Sequence, residues 1–247
     1  MKHHLLLGVL YLLSACAATA DDTPATSLST DEIVARMAAH DLQRQSSVQG
    51  YTGMRRYVLE NQKHNKRAEM VVRVKGNQDG SKHFEIVSEA GWKAAQKHVL
   101  RKMLESEAES SRPEMRANAK LNNANYDFTL AGTDQLAGRT AYVLEVRPKR
   151  KEKYLFEGRI WVDASDYALM RAEGSPAKNP SFWTKSTHFV QVYQKSGPLW
   201  FPLSTVSVTD ARIFGATSVD IEYFDYAPQG QASSETTLFS MEGSPNP

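Results

Sequence analysis

Apolar and polar residues alternate with a period of two through most of the chain, which predicts half-buried β-strands. The clearest run covers residues 136–174, where charge-rich turns separate three stretches of β-branched and aromatic residues. In the middle stretch, Leu155 and Trp161 fall on the face opposite to that of Phe156, Ile160 and Val162. The turns between the three stretches are too short for the crossover that parallel strands need, which predicts an antiparallel meander. Alternation places these apolar residues on a shared face within each strand: Tyr142, Leu144 and Val146; Phe156, Ile160 and Val162; Ala168, Met170 and Ala172.

The same alternation continues on both sides of this meander. Three strands are predicted between residues 48 and 88, and one more follows Asn122 and Asn123. Three further strands are predicted over residues 184–194, 199–209 and 212–226. About ten antiparallel strands are therefore expected.

A first helix is predicted over residues 31–46, where the spacing of apolar residues changes to that of a helix. Ser29 and Glu32 form a capping box immediately before it. We expect its apolar stripe to pack on the concave face of the sheet. The stripe consists of Ile33, Val34, Met37, Ala38 and Leu42.

A second helical region begins near Trp92 and interrupts the strands for nearly thirty residues. Trp92, Val99 and Met103 lie in an apolar stripe at helical spacing. Ser111 and Glu114 predict a further capping box. The pattern allows two interpretations, a mobile lid or a helix that simply covers the core.

The meander also carries a resemblance to a known family. The segment GRTAYVLEVRP, a basic turn, and then GRIWVDASDYALMRAEG resembles the half-open β-barrel proteins of the LolA/LolB/RseB type, the periplasmic outer-membrane-lipoprotein-sorting superfamily. The similar layout extends over about residues 33–226. The resemblance implies an α+β fold, a strongly curved antiparallel sheet forming a half-open barrel with helices on its concave face. It also implies an apolar cavity that takes acyl chains.

The N-terminus predicts an export signal, because a basic start precedes an apolar run from Leu5 to Leu13 that is too short to span a bilayer. Two cleavage sites compete. The ATA sequence at 18–20 suits ordinary signal peptidase, whereas the LSAC sequence at 13–16 resembles a bacterial lipobox, which we favour slightly. Cys16 would then be diacylated and anchor the protein to the outer membrane. An intact mass corresponding to a mature chain that starts at Asp21 would rule this out.

The predicted organisation is one folded unit between two polar segments. Residues 1–20 form the signal peptide and residues 21–30 a flexible tether. Residues 31–226 form the half-barrel domain, and residues 227–247 form a disordered tail rich in Gly, Pro and Ser. We expect a monomer in the periplasm.

Charge and motifs favour a binding protein over an enzyme. The net charge of +2 gives no reason to expect nucleic-acid binding, and Cys16 is the single cysteine of the chain. The sequence contains no nucleophile-elbow, phosphate-loop, zinc-protease or dinucleotide motif, and its histidines have no metal-ligand spacing. No cofactor or metal is therefore assigned. Asp163 and Asp166 are read as turn residues that bond backbone N–H groups.

The turn at residues 147–153 carries five cations. It could contact anionic lipid headgroups, but the favoured interpretation is a solvated hairpin turn, because Lys and Arg are common at exposed tips.

Large apolar side chains are usually core residues, but a protein that holds lipid needs some of them facing a cavity. The candidate ligand-binding residues are Trp92, Val99, Met103, Tyr142, Leu144, Phe156, Trp161, Met170, Trp183, Trp200 and Phe201.

Two functions fit these observations. The first is an exported carrier or receptor that binds a lipid or lipoprotein acyl chain, with contact to the membrane surface. The second is an envelope sensor or structural module that uses the half-barrel to bind a protein partner. Extractable acyl lipid would support the first function, and a stoichiometric protein partner would support the second.

Overall fold

The structure, a computed structural model, describes residues 28–179, 184–197, 199–212 and 215–229. Ten strands form one sheet. They are β1 (Gly50–Asn61), β2 (Lys66–Asn77), β3 (Lys82–Gly91), β4 (Tyr126–Leu136), β5 (Arg139–Pro148), β6 (Phe156–Asp163), β7 (Leu169–Pro176), β8 (Thr184–Ser196), β9 (Leu199–Ala211) and β10 (Gly215–Gln229).

The strands follow the spatial order β3-β2-β1-β10-β9-β8-β7-β6-β5-β4, and every neighbouring pair is antiparallel. The first and last strands, β1 and β10, pair inside the sheet, while β3 and β4 are the two edges and do not pair with each other. The sheet is therefore open and curved, with the connection from β3 to β4 passing from one edge to the other. The predicted fold class and the count of about ten strands are confirmed.

Helix α1 (Thr30–Ser46) begins as the sequence predicts. The Ser29 hydroxyl accepts a hydrogen bond from the Glu32 N–H, and the Glu32 carboxylate accepts one from the Ser29 N–H, which completes the capping box. Ile33, Val34 and Met37 are buried, whereas Ala38 and Leu42 are exposed and do not belong to the packed stripe.

The connection from β3 to β4 contains α2 (Lys93–Ala95), a π-helix (Gln96–Leu100), α3 (Arg101–Ser110) and α4 (Pro113–Arg116). We call these the crossover helices. The second predicted capping box is wrong, because α4 is capped by Arg112 without a side-chain hydrogen bond. The Ser111 hydroxyl instead accepts a hydrogen bond from the Lys82 N–H at 2.9 Å, which ties the end of α3 to β3.

Two core clusters lie on the face of the sheet that carries the helices, which we call the inner face. The first core cluster joins α1 to strands β4–β7, and the second joins α2, the π-helix and α3 to β1, β2 and β10. Tyr142, Leu144 and Val146 share the first cluster, as the alternation predicts. Leu155 packs in the same cluster from the turn before β6, so its predicted place on the opposite face is wrong.

A third cluster lies on the outer face of the sheet. Val143 pairs with Trp161, while their neighbours Leu144 and Ile160 pair on the inner face. A β-bulge opposite Trp161 and Val162 shifts the register of β7. Met170 therefore joins the outer cluster while Ala172 packs in the first core cluster, so the predicted shared face of β7 is wrong. The outer cluster comprises Ala141, Trp161 and Met170, with Leu136, Val143 and Trp200 against them.

Candidate functional site

The middle of the inner face separates the two core clusters. A row of paired residues crosses it from Ala172 in β7, through Gln191 in β8 and Thr205 in β9, to Ile221 in β10. The two end residues are buried in different clusters, but the two middle residues are only half-buried. Strands lie about 4.8 Å apart, so this interval spans about 14 Å.

We call the half-buried residues of this interval the inner strip: Phe189, Gln191, Tyr193, Thr205 and Ser207. Its two ends are anchored. The ring of Phe189 packs edge-on against Phe156 of the first core cluster at 5.3 Å, and the hydroxyls of Thr205 and Tyr223 are hydrogen-bonded at 3.0 Å. The strip is therefore a mixed aromatic and hydroxyl-bearing surface between two closed cores.

A buried ion-pair cluster adjoins the strip on the side of the crossover helices. The Arg55 side chain is 2% exposed and donates two hydrogen bonds to the Glu107 carboxylate, at 2.7 and 3.1 Å. Lys82 Nζ donates to the same carboxylate at 2.7 Å. The Arg55 guanidinium lies over the Tyr223 ring at 4.9 Å and donates to the Tyr226 hydroxyl at 2.9 Å. We call these residues, together with Tyr57, the arginine–tyrosine cluster.

Neighbouring groups keep the charged residues of this cluster ionised. Burial alone would raise the pKa of Glu107, but the charges of Lys82 and Arg55 and their hydrogen bonds lower it to about 2. Burial would lower the pKa of Arg55, and Glu107 more than offsets this, so the pKa is raised. Burial raises the pKa of Tyr226 to about 12, although Arg55 opposes the change. The carboxylate and both cations therefore remain charged, and the tyrosine remains neutral, at physiological pH.

A pocket of about 390 Å³ opens beside the cluster. We call it the end pocket. The end of α1, the β2–β3 turn and the last turn of α3 with α4 form its wall, and the charged residues that line it are Lys82, Glu107, Arg116 and Lys120. Tyr51 also lines it and stacks on Tyr226 at 5.6 Å between ring centres. The pocket thus combines charged side chains with apolar surface, and it shares Lys82 and Glu107 with the arginine–tyrosine cluster.

The predicted ligand-binding residues separate into groups. Tyr142, Leu144 and Phe156 belong to or pack against the first core cluster, and Trp92 and Met103 pack against the second. Phe201 is buried beside the rings of Tyr51 and Tyr226. Val99 is 37% exposed.

Trp161, Met170 and Trp200 lie in the outer cluster, on the other side of the sheet from the helices. They therefore cannot wall a cavity between the sheet and the helices. Trp183 and Cys16 fall outside the residues that the structure describes.

The basic turn is paired within the protein. Arg147, Lys149 and Arg150 each form an ion pair with a nearby carboxylate, and Lys153 pairs with Glu109 at 3.3 Å. Tyr154 donates a hydrogen bond to the same Glu109 at 2.7 Å. These contacts favour a structural role, in which the turn braces α3, over a role in headgroup binding.

Asp163 acts as a turn residue, as predicted. Its carboxylate accepts hydrogen bonds from the N–H groups of Ser165 and Asp166 at 2.9 and 2.7 Å. It also pairs with Arg139, which reaches Asp166 as well. Burial opposes ionisation of Asp163, but these donors lower its pKa. The carboxylate therefore stays charged and stabilises the turn.

Sequence reasoning did not select Arg55, although the strand alternation contained the signal. Arg55 has the same parity as Tyr51, Tyr57 and Leu59, so alternation places it on the same face of β1 as these apolar residues. A charged residue at a position that alternation buries needs a partner. Its partner, Glu107, is 52 residues away in sequence, and only the fold brings the two together.

Residues 119–226 match a family that is described only as a family of unknown function, DUF5686. No curated protein matches the chain. Within the described residues, no helix is long and apolar enough to cross a membrane.

Solved structures with a similar fold include an outer membrane lipoprotein-sorting protein domain from Vibrio parahaemolyticus, which is described as putative. It has 12% identity and a TM-score of 0.46, with 79% of this chain and 93% of that one covered. A DUF1329 family protein from Desulfovibrio piger has 13% identity and a TM-score of 0.41, with 83% and 96% covered. A LolA superfamily protein from Nitrosomonas europaea has 10% identity and a TM-score of 0.39, with 83% and 96% covered.

Proposed function

We propose that this is an exported envelope protein that binds the acyl chain of a lipid or lipoprotein between the inner face of the sheet and its helices. The observation that supports the proposal is the row from Ala172 to Ile221, in which the inner face is closed at both ends and half-open in the middle. Export and anchoring through Cys16 rest on the leader sequence.

An acyl chain suits this surface on physical grounds. Wetting apolar surface costs about 25 cal/mol per Å², so a chain that covers Phe189 and the edges of both core clusters is favoured. Phe156 is a partly buried residue of that kind, because it packs against the first core cluster and contacts Phe189. The function proposed is binding, and the described charged clusters serve structural or binding roles rather than catalysis.

The proposal predicts that a bulky side chain in the inner strip blocks binding. Gln191→Trp should weaken binding of a fluorescent fatty-acyl probe at least tenfold, which is about 1.4 kcal/mol. The denaturation midpoint should change little, because Gln191 is half-buried and belongs to neither core cluster. Titration of the probe and a urea melt on the same preparations measure both quantities.

Val206→Trp is the matched control. Val206 pairs with Val190 beside the Gln191–Thr205 pair, but its side chain is on the outer face and is 45% exposed. It should leave probe affinity unchanged. Equal affinities of the two variants would contradict the assigned site. Absence of saturable probe binding by the unmodified protein, together with a stoichiometric protein partner after purification, would favour the partner-binding function.

A further inference from the structure

The arginine–tyrosine cluster contains more positive than negative charge. Arg55 and Lys82 share a single carboxylate, that of Glu107, which leaves one positive charge uncompensated. The tyrosines do not supply the missing charge, because burial raises the pKa of Tyr57, Tyr226 and Tyr193. The Lys82 side chain is 30% exposed, so an anion that enters from solvent can reach this uncompensated charge.

The end pocket gives an anion access to this charge. Lys82 lines the pocket, and so do Arg116 and Lys120. Within the described part of the chain, neither Arg116 nor Lys120 forms an ion pair; Arg116 donates a hydrogen bond to the backbone carbonyl of Asp79 at 2.6 Å. Glu107 is the one acidic residue among the described residues that line the pocket, and its two oxygens are already bonded to Arg55 and Lys82.

The pocket is also connected to the inner strip. Tyr226 stacks on Tyr51 of the pocket wall at 5.6 Å between ring centres, and its own ring centre lies 6.2 Å from that of Tyr223. Tyr223 links the strip to the cluster, since its hydroxyl bonds Thr205 and its ring lies under Arg55. An extended chain along the strip would therefore have one end next to Lys82.

We propose that the end pocket binds the oxyanionic headgroup, a carboxylate or a phosphate ester, of the amphiphile whose chain lies in the inner strip. This inference rests on the proposed function and adds to it the charge of the ligand and the direction in which it lies. Lys82 would contact the headgroup directly, because its ammonium group has three donors and only one is bonded to Glu107. Arg116 and Lys120 would contribute at longer range.

The test compares two amphiphiles of the same chain length that differ only at the head, a fatty acid and the corresponding fatty alcohol. Each displaces the same fluorescent acyl probe from the full mature protein. The fatty acid should bind at least about tenfold more tightly, because charge-assisted hydrogen bonds are roughly twice as strong as neutral ones. Lys82→Gln should reduce this preference to below about threefold while the affinity for the alcohol stays the same.

Lys120→Gln provides a second variant that leaves the ion-pair cluster untouched, since Lys120 is exposed. It should reduce the preference by about twofold at low salt and less at high salt, because the charge acts at a distance. Lys97→Gln removes the same charge from an exposed position of the π-helix that does not line the pocket, and it should leave the preference unchanged.

The outcomes separate the two proposals. If neither amphiphile displaces the probe, the proposed function fails. If both bind equally well, the acyl-binding function stands and the headgroup inference is overturned. Inorganic phosphate in large excess should leave the probe bound, because the chain supplies most of the affinity. Displacement by phosphate alone would mean that the pocket binds free anions, which would also overturn the inference.

Discussion

Replacing Glu107 with Ala should lower the free energy of unfolding by about 3–5 kcal/mol, because it leaves the buried Arg55 without its carboxylate. Arg55 is 2% exposed and donates two hydrogen bonds to Glu107. The loss is a large fraction of the 5–15 kcal/mol that is typical of a domain. Urea denaturation at pH 7, followed by tryptophan fluorescence, measures it.

Glu109→Ala is the matched control, two residues further along α3. Glu109 pairs with Lys153 at the surface, where both side chains are about half exposed, so the cost should be below about 1 kcal/mol. An equal effect of the two substitutions would contradict the special role of the buried pair.

The pH dependence of the Glu107 effect gives an independent check. The pKa of this carboxyl group in the folded protein is about 2, below its ordinary value of 4.5. A depressed folded-state pKa contributes stability above the unfolded-state pKa and loses it as the pH falls through the folded-state value. The stability difference between wild type and Glu107→Ala should therefore be constant above about pH 5 and shrink between about pH 4.5 and about pH 2. A difference that stays constant down to pH 2 would contradict the assigned ionisation.

Trp161→Ala should lower the free energy of unfolding by about 3–5 kcal/mol, although the ring lies on the outer face of the sheet. The side chain is 7% exposed and packs with Met170 and Val143. Its indole N–H donates to Asp134 at 2.9 Å, and the Arg171 guanidinium lies 4.8 Å from its ring centre. Thermal or urea denaturation measures the loss.

Trp161→Phe keeps an aromatic ring but removes the indole N–H and part of the ring system, so it should cost about 1–2 kcal/mol, less than Trp161→Ala. A Trp161→Ala variant with an unchanged denaturation midpoint would mean that the outer cluster contributes nothing to stability.

Most of the secondary structure could be predicted because it depends on local sequence patterns. The capping box of Ser29 and Glu32 starts α1, and strict alternation of residues in β5 places Leu144 and Val146 in the core. Both patterns depend only on residues that are close in sequence. The inner-face positions of Phe156 and Ile160 follow from the same rule.

The errors arose where distant residues decide the local structure. Met170 was assigned to the same face as Ala172, but a bulge in the pairing of β6 with β7 reverses the alternation. Nothing in the sequence of β7 marks this bulge, because it depends on the register with the neighbouring strand. Ser111 was assigned to a cap, but it accepts the Lys82 N–H of a strand 29 residues earlier.

The candidate site could be predicted only in part. The resemblance implied an apolar cavity that takes acyl chains, but the inner strip depends on the pairing of β10 with β1 and β9. This pairing joins the first strand to the last, so no local sequence pattern predicts it. Met103, chosen from its helical spacing, packs against the second core cluster, so charge introduced there would lower stability as well as binding. Gln191 and Val206 separate the two effects more cleanly.

The central claim, that an acyl chain occupies the inner strip, is tested most directly by mass spectrometry of the organic extract of protein purified without detergent. The account predicts about one acyl lipid per molecule of the wild type and of Val206→Trp, carrying a carboxylate or phosphate headgroup, and a strong loss of this lipid from Gln191→Trp. A wild-type preparation without acyl lipid, or equal lipid content in all three proteins, would contradict it.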